Sequence, residues 1–174
     1  VIIPATISGT CCGQVFSSKG FQDAYRITAN QTVEKLWQTA LGGSIPIVLD
    51  VTSCTQTIRS CSIYLTDENK IRFEKLVIMD IIDFAAERLL PLLKVTNKKE
   101  TIVFHPVCSV YKMGLLNNLQ TIGLACANQA TIPAFAKCCG MAGDRGFYYS
   151  SLTNVATKIE AEEVKQFQYE GYYS

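Results

Sequence analysis

The sequence predicts an α/β fold made of two pseudo-repeated units, in which parallel strands are flanked by helices. Three observations support this prediction: a cysteine-rich phrase occurs twice, two apolar runs each lead to a cysteine, and stretches with helical periodicity separate them. Alternation of strands and helices is typical of α/β proteins with parallel sheets. Of the 174 residues, 48% are hydrophobic and 18% are charged, so the chain can form a packed core.

The repeated phrase has the order Ile-Pro, Cys-Cys-Gly and Gly-Phe, and its two copies lie at 3–21 and 132–147. The offset is 127 residues, measured from Cys11 to Cys138. A short β-like stretch precedes each copy, at 1–3 and at 130–132. The chain is therefore expected to divide into a first repeat with a connecting helix, 1–99, and a second repeat, 100–174.

Two apolar runs rich in β-branched residues, at 45–50 and 101–106, are predicted to be buried parallel strands. The first leads after a short turn to Cys54 and the second leads to Cys108. Functional sites in open α/β sheets lie at the carboxyl ends of the strands, so both cysteines are expected at that edge.

Four stretches are predicted to be helices: 23–41, which stops at a Gly-Gly pair, then 72–90, 112–128 and 151–165. The strongest periodicity belongs to 72–90, where apolar residues cover one broad face. Asp80, Asp83 and Glu87 fall together on another face of this predicted helix. We expect that acidic face to be solvated.

Eight cysteines are many for a chain with a core of this size, and four of them form two adjacent pairs. Adjacent cysteines rarely form a disulfide with each other, which favours metal binding over reduced structural thiols and over disulfides. A glycine after each pair lets the backbone bend sharply and approach a metal centre closely. The predicted metal ligands are six: Cys11, Cys12, Cys54, Cys108, Cys138 and Cys139. Cys61 and Cys126 are expected to be buried packing residues.

Two further residues are candidates for a supporting role near the thiols. His105 is the only histidine and lies three residues before Cys108, while Arg145 follows the second Cys-Cys-Gly and could balance thiolate charge. An ordinary structural histidine and a loop ion pair with Asp144 are the alternatives. With one histidine and no phosphate loop or dinucleotide fingerprint, the sequence indicates no catalytic residues of its own. A net charge of +1 favours neither nucleic-acid nor polybasic membrane binding.

Three phrases carry a resemblance that covers nearly the whole chain. They are Cys-Cys-Gly-Gln-Val-Phe-Ser-Ser-Lys-Gly-Phe (11–21), His-Pro-Val-Cys-Ser (105–109) and Cys-Cys-Gly-Met-Ala-Gly-Asp-Arg-Gly-Phe (138–147). They resemble the cysteine-rich CCG domains of heterodisulfide reductases and of the iron–sulfur subunits of glycolate oxidases. They also resemble the C-terminal region of bacterial FAD- and iron–sulfur-containing D-lactate dehydrogenases.

The resemblance implies an iron–sulfur electron-transfer module of a larger oxidoreductase. It implies a cluster of the 4Fe–4S kind held by the six cysteines, with FAD and ferredoxin-like domains upstream in the same polypeptide. The electron acceptor would be a quinone or another carrier, and the location cytoplasmic, peripheral at the inner membrane, without a transmembrane segment. The family pattern would place one further cysteine of each repeat beyond the chain ends, so this piece is expected to fold alone, to be isolated without its cluster and to be inactive. A structural zinc or thiol-redox module and a metal-free docking domain remain alternatives.

Overall fold

A computed structural model gives the fold and describes residues 2–174, with the side chain of Thr6 left out. The prediction of a mixed α/β fold with parallel strands is confirmed. The chain forms two compact units, residues 1–81 and 82–174. The expected boundary between the sequence repeats lies farther along, at 99–100, and stays a prediction.

The first unit joins a two-stranded parallel sheet to four helices. Its elements are α1 (Gln14–Ser18), α2 (Gln22–Thr39), β1 (Ile47–Leu49), α3 (Thr52–Arg59), α4 (Asp67–Glu74) and β2 (Ile78–Asp80). Short 3-10 turns lie at Ala5–Ile7 and Ser62–Tyr64. Helix α2 forms because Tyr25, Ala29 and Val33 recur at four-residue spacing, which places them on one helix face. That face is buried against Cys61 and Leu65.

The second unit contains a three-stranded, all-parallel sheet in the order β4-β3-β5. Its elements are α5 (Ile81–Phe84, beginning one residue before the unit), β3 (Lys99–Phe104), α6 (Cys108–Lys112), α7 (Leu116–Cys126), β4 (Ala127–Thr131), α8 (Arg145–Tyr148), α9 (Ser150–Val164) and β5 (Gly171–Tyr173). A π-helical turn, Ala85–Leu89, and a 3-10 turn, Leu90–Leu92, follow α5. The central strand buries Ile102 and Phe104 against Ala127, and Leu119 of α7 packs on this cluster.

The prediction of one long helix over 72–90 is wrong. Helix α4 ends at Glu74, and Ile78–Asp80 instead form β2, which pairs in parallel with β1. A short apolar run fits a buried strand as well as a helix, and here the pairing with Ile47–Leu49 decides between them. Asp80 is consequently buried at the end of β2 rather than lying on a solvated face.

The structure also differs from the sequence predictions at the start of the chain, in the segment 112–128 and at the acidic side chains Asp83 and Glu87. Residues 2–3 form no strand, and Val1 lies outside the described residues. Of the predicted helix 112–128, only Leu116–Cys126 is confirmed, as α7; α6 ends at Lys112, the chain turns at Gly114 with a φ of 71°, and Ala127 begins β4. The side chain of Asn118 donates to Asp83 at 2.9 Å and to Glu87 at 3.3 Å, so these two carboxylates have a common partner on α7.

None of the helices formed by residues 2–174 has the length and apolar content to cross a membrane.

Candidate metal centre: two thiol groups

The first thiol group brings together Cys11, Cys12 and Cys54. The adjacent pair lies in the loop before α1, and Cys54 lies in the first turn of α3, directly after β1. The thiol of Cys12 donates to the sulfur of Cys54 across 3.0 Å. The backbone N–H of Gly13 donates to the sulfur of Cys11 at 3.4 Å. Two segments that are about 40 residues apart therefore meet at the carboxyl end of β1.

The electrostatics of this group keep the thiol of Cys54 protonated. Burial first, then the hydrogen bond shared with Cys12 and the negative charges of Cys12, Cys11 and Asp50, together raise the pKa of Cys54 to about 12. Several thiolates side by side repel one another unless a cation lies among them. Metal binding at this group would consequently release protons.

The second thiol group has the same composition, with Cys108, Cys138 and Cys139. Cys108 is the first residue of α6, just after β3, and the adjacent pair lies in the loop that follows β4. Burial raises the pKa of the Cys108 thiol, and the hydrogen bond with Cys138 and the nearby Cys139 raise it further, while Lys112 lowers it. The N–H of Gly140 donates to the sulfur of Cys138 at 3.5 Å.

The two Cys-Cys-Gly turns share their backbone setting. Gly13 and Gly140 both adopt left-handed φ values, 80° and 75°, and each is followed by a short helix and then a long one. A Cβ on Gly13 would lie 2.7 Å from the ring of Tyr25, and one on Gly140 would lie 2.5 Å from the carbonyl of Leu152. Both contacts are to the long helix, twelve residues after the glycine. The turns therefore have a similar relation to their helices, as a repeat requires.

Two buried polar side chains, His105 and Glu160, lie behind the second thiol group, and the largely exposed Tyr172 reaches them with its hydroxyl. His105 ends the run that leads to Cys108, and its Nδ1 lies 2.8 and 2.7 Å from the two carboxylate oxygens of Glu160. The hydroxyl of Tyr172 donates to the same carboxylate at 3.1 Å. Burial, followed by the charge of Glu160, raises the pKa of Tyr172 to about 12. His105 and Glu160 are 5% and 3% exposed, so neither has bulk water as an alternative partner.

This network ties three elements together: the end of β3, helix α9 and strand β5. Because a carboxylate only accepts hydrogen bonds, Nδ1 of His105 carries the hydrogen, and Nε2 is buried without a hydrogen-bond partner among the described residues. Sequence reasoning found His105 but missed Glu160 and Tyr172. The repeat offered one signal. Glu160 lies twenty residues after Gly140, and the residue twenty positions after Gly13 in the first repeat is the buried, apolar Val33, which indicates that this position is buried.

The remaining cysteines and Arg145 lie outside the two groups. Cys61 is buried in the first core, as predicted, and burial raises its pKa to about 11. The prediction for Cys126 is wrong, because its side chain is exposed at the end of α7 and lines an open apolar cavity of about 350 Å³. Arg145 begins α8 with an exposed side chain that forms no hydrogen bond or ion pair with the described residues.

The donor chemistry of each group fits a thiophilic centre. Each offers three soft sulfur ligands, and in each a backbone N–H contacts one sulfur, an interaction that tunes iron–sulfur centres. The thiols are hydrogen bonded to one another rather than arranged as a coordination sphere. Across residues 2–174, no three His, Cys, Asp or Glu side chains surround a point where one metal ion would fit.

Comparison with known proteins assigns part of the chain. Residues 102–173 match the family model of the CCG cysteine-rich domain. The match contains the whole second thiol group together with His105, Glu160 and Tyr172. A search of curated proteins and a search of solved structures gave no match. The match supports a CCG cysteine-rich domain at residues 102–173, which is consistent with an iron–sulfur or other metal-binding role.

Proposed function

We propose that the chain is the iron–sulfur electron-transfer module of a flavin-linked D-lactate (2-hydroxy acid) dehydrogenase, passing electrons from FAD to a quinone or another acceptor. One observation carries the proposal: each Cys-Cys-Gly turn meets a third thiol from the carboxyl end of a parallel strand, and this happens twice. The CCG match at 102–173 supports it for the second unit. Upstream flavin and ferredoxin-like domains, and a cytoplasmic or membrane-peripheral location, belong to the same proposal.

In this proposal the chain's own residues hold and tune the centre. Cys11, Cys12 and Cys54 would be the ligands in the first unit, and Cys108, Cys138 and Cys139 those in the second. A bound iron–sulfur cluster supplies one-electron transfer. The N–H groups of Gly13 and Gly140 donate to ligand sulfurs and so favour the more electron-rich state.

His105 supports the second group through the backbone rather than as a ligand. Its contact with Glu160 fixes the end of β3 to α9, the helix on which Gly140 packs. The strand end that carries Cys108 and the turn that carries Cys138 and Cys139 are therefore held to one helix. Arg145 is exposed near this turn and is proposed to balance negative charge there or on a docked acceptor.

A thiol-redox role is the second candidate, because Cys12 and Cys54 are already in hydrogen-bond contact. Dithiol exchange requires a thiolate, however, and a pKa of about 12 leaves Cys54 protonated at neutral pH. Metal binding can still deprotonate this thiol, because the cation stabilises the thiolate and displaces the proton. A protonated Cys54 is therefore a poor redox nucleophile but remains available as a metal ligand.

Anaerobic reconstitution with iron and sulfide tests the proposal. We expect a brown product whose visible absorbance decreases when dithionite reduces it, whereas zinc alone gives a colourless one. Cys139→Ser should lower the visible absorbance strongly, and Cys126→Ser, which changes an exposed cysteine outside both groups, should leave it unchanged. A colourless product, or equal effects of the two substitutions, would refute the assignment.

A further inference from the structure

A polar cavity of about 230 Å³ lies in the first unit, and of its lining residues only Cys11 has a role in the proposed electron transfer. One wall is the loop that contains Thr10 and Cys11, and the other is helix α2. The liquid volume of a water molecule is about 30 Å³, so the space holds a ligand of roughly eight heavy atoms or fewer.

The α2 wall is built from residues on one helix face. Thr28, Gln31, Thr32 and Lys35 follow one another at spacings of three, one and three residues, so their side chains lie together. The buried Thr32 donates its hydroxyl hydrogen to the carbonyl of Cys11 at 2.7 Å, which fixes the helix to the loop. The cavity is therefore bounded by two segments that a direct hydrogen bond holds in place.

Lys35 gives the cavity its charge. Its ammonium group donates to the hydroxyl of Thr10 at 3.2 Å, which uses one of its three hydrogens. Within residues 2–174 it forms no ion pair, and none of the cavity-lining residues is acidic. Gln31 also makes no side-chain hydrogen bond with the described residues, so its amide is available. A half-buried cation and a free amide donor are the groups that bind a carboxylate.

The corresponding helix of the second unit does not carry the cavity-lining residues of α2, so the repeated fold does not need them. At the same distances after its glycine, α9 carries Val155, Lys158, Ile159 and Glu162. The charge at the Lys35 position is reversed, and two of the polar residues are replaced by apolar ones. The first unit thus has a lysine at a position where the corresponding helix of the second unit has a glutamate.

We infer that this cavity binds a small aliphatic carboxylate, with the carboxylate on Lys35 and Gln31 and the short alkyl part against Phe16, which also lines the space. The hydroxyls of Thr28 and Thr32 already donate to backbone carbonyls, so they offer acceptor positions to a ligand hydroxyl. The ligand would lie next to the thiol of Cys11. The inference does not depend on metal binding, since every group it uses is present in the metal-free chain.

Titration of the ¹⁵N-labelled, metal-free chain with acetate, butanoate and sulfate tests the inference at constant ionic strength. We expect saturable shifts of the amides of residues 9–11 and of the Thr28–Lys35 part of α2, with a Kd on the order of 1 mM for the carboxylates. Butanoate should bind more tightly than acetate because of the contact with Phe16. Lys35→Gln should weaken carboxylate binding about tenfold or more, while Lys35→Arg keeps it within about threefold.

Lys158→Gln is the matched control, because it removes the same charge from an exposed position of the second unit. It should leave carboxylate binding unchanged. Shifts that do not saturate, sulfate binding as tightly as butanoate, or an unchanged Kd in Lys35→Gln would each overturn the inference. None of these results bears on cluster reconstitution, which is scored by colour, so the two proposals fail separately.

Discussion

Gly140→Ala is the substitution for which the structure gives the sharpest expectation. The φ of Gly140 is 75°, and an added Cβ would lie 2.5 Å from the carbonyl oxygen of Leu152 and 2.8 Å from the Cβ of Ala156. A left-handed conformation costs alanine roughly 1–2 kcal/mol. Crowding against helix backbone adds about 1–3 kcal/mol. The free energy of unfolding should therefore fall by roughly 2–5 kcal/mol.

Gly143→Ala separates the two costs. Gly143 lies three residues farther in the same loop with a φ of 77°, but nothing lies within 4 Å of an added Cβ. It should lose only the conformational part, about 1–2 kcal/mol. Urea unfolding followed by far-ultraviolet circular dichroism measures both changes. Equal losses for the two variants would refute the close packing of the Cys-Cys-Gly turn on α9.

The remaining predictions concern the hydrogen-bond network around Glu160, the thiol of Cys54, and the two cysteines outside the thiol groups. Glu160→Leu leaves His105 and Tyr172 without their acceptor and should lower the free energy of unfolding in urea by about 2–5 kcal/mol. The control Glu162→Leu, at an exposed position, should change it by less than about 0.5 kcal/mol. Similar losses for the two variants would argue against the network. The folded-state pKa of Cys54 is raised from 9.0 to about 12, so its contribution to stability is present below pH 9 and is lost as the pH rises from 9 toward 12. Urea midpoints measured from pH 7 to 11 should fall above pH 9, and this fall should be shallower in Cys54→Ser. Parallel curves for the two proteins would contradict the assigned burial of Cys54. Iodoacetamide should alkylate the exposed Cys126 in the native chain and the buried Cys61 only after unfolding, as peptide mass analysis would show; early labelling of Cys61 would place it outside the core.

The sequence correctly predicted the helices and strands in which the hydrophobic periodicity and the residues at the ends of the element indicate the same structure. Helix α2 has apolar residues at helical spacing and glycines after its last turn, and β1 and β3 are apolar runs that end before a cysteine. Alternation of these elements was enough to predict parallel strands and to place Cys54 and Cys108 near strand ends. The grouping of the six predicted cysteines into two sets followed from that placement.

Features that depend on distant partners were not predictable in this way. The segment 72–90 has helical periodicity, yet Ile78–Asp80 pair with β1, and only the tertiary pairing distinguishes the two outcomes. Glu160 looks like a surface residue of an amphipathic helix until His105 and Tyr172 are placed beside it. Cys126 lies in an apolar stretch but at the exposed end of α7.

The most direct test of the account is the iron and acid-labile sulfide bound per chain after anaerobic reconstitution. It should be measured for the wild type, for Cys12→Ser with Cys54→Ser, for Cys108→Ser with Cys139→Ser, and for all four substitutions together. The account predicts that each pair of substitutions lowers the bound iron and that the fourfold variant binds almost none. A fourfold variant that retains the iron and sulfide of the wild type would contradict the assignment of the thiol groups as the metal centre.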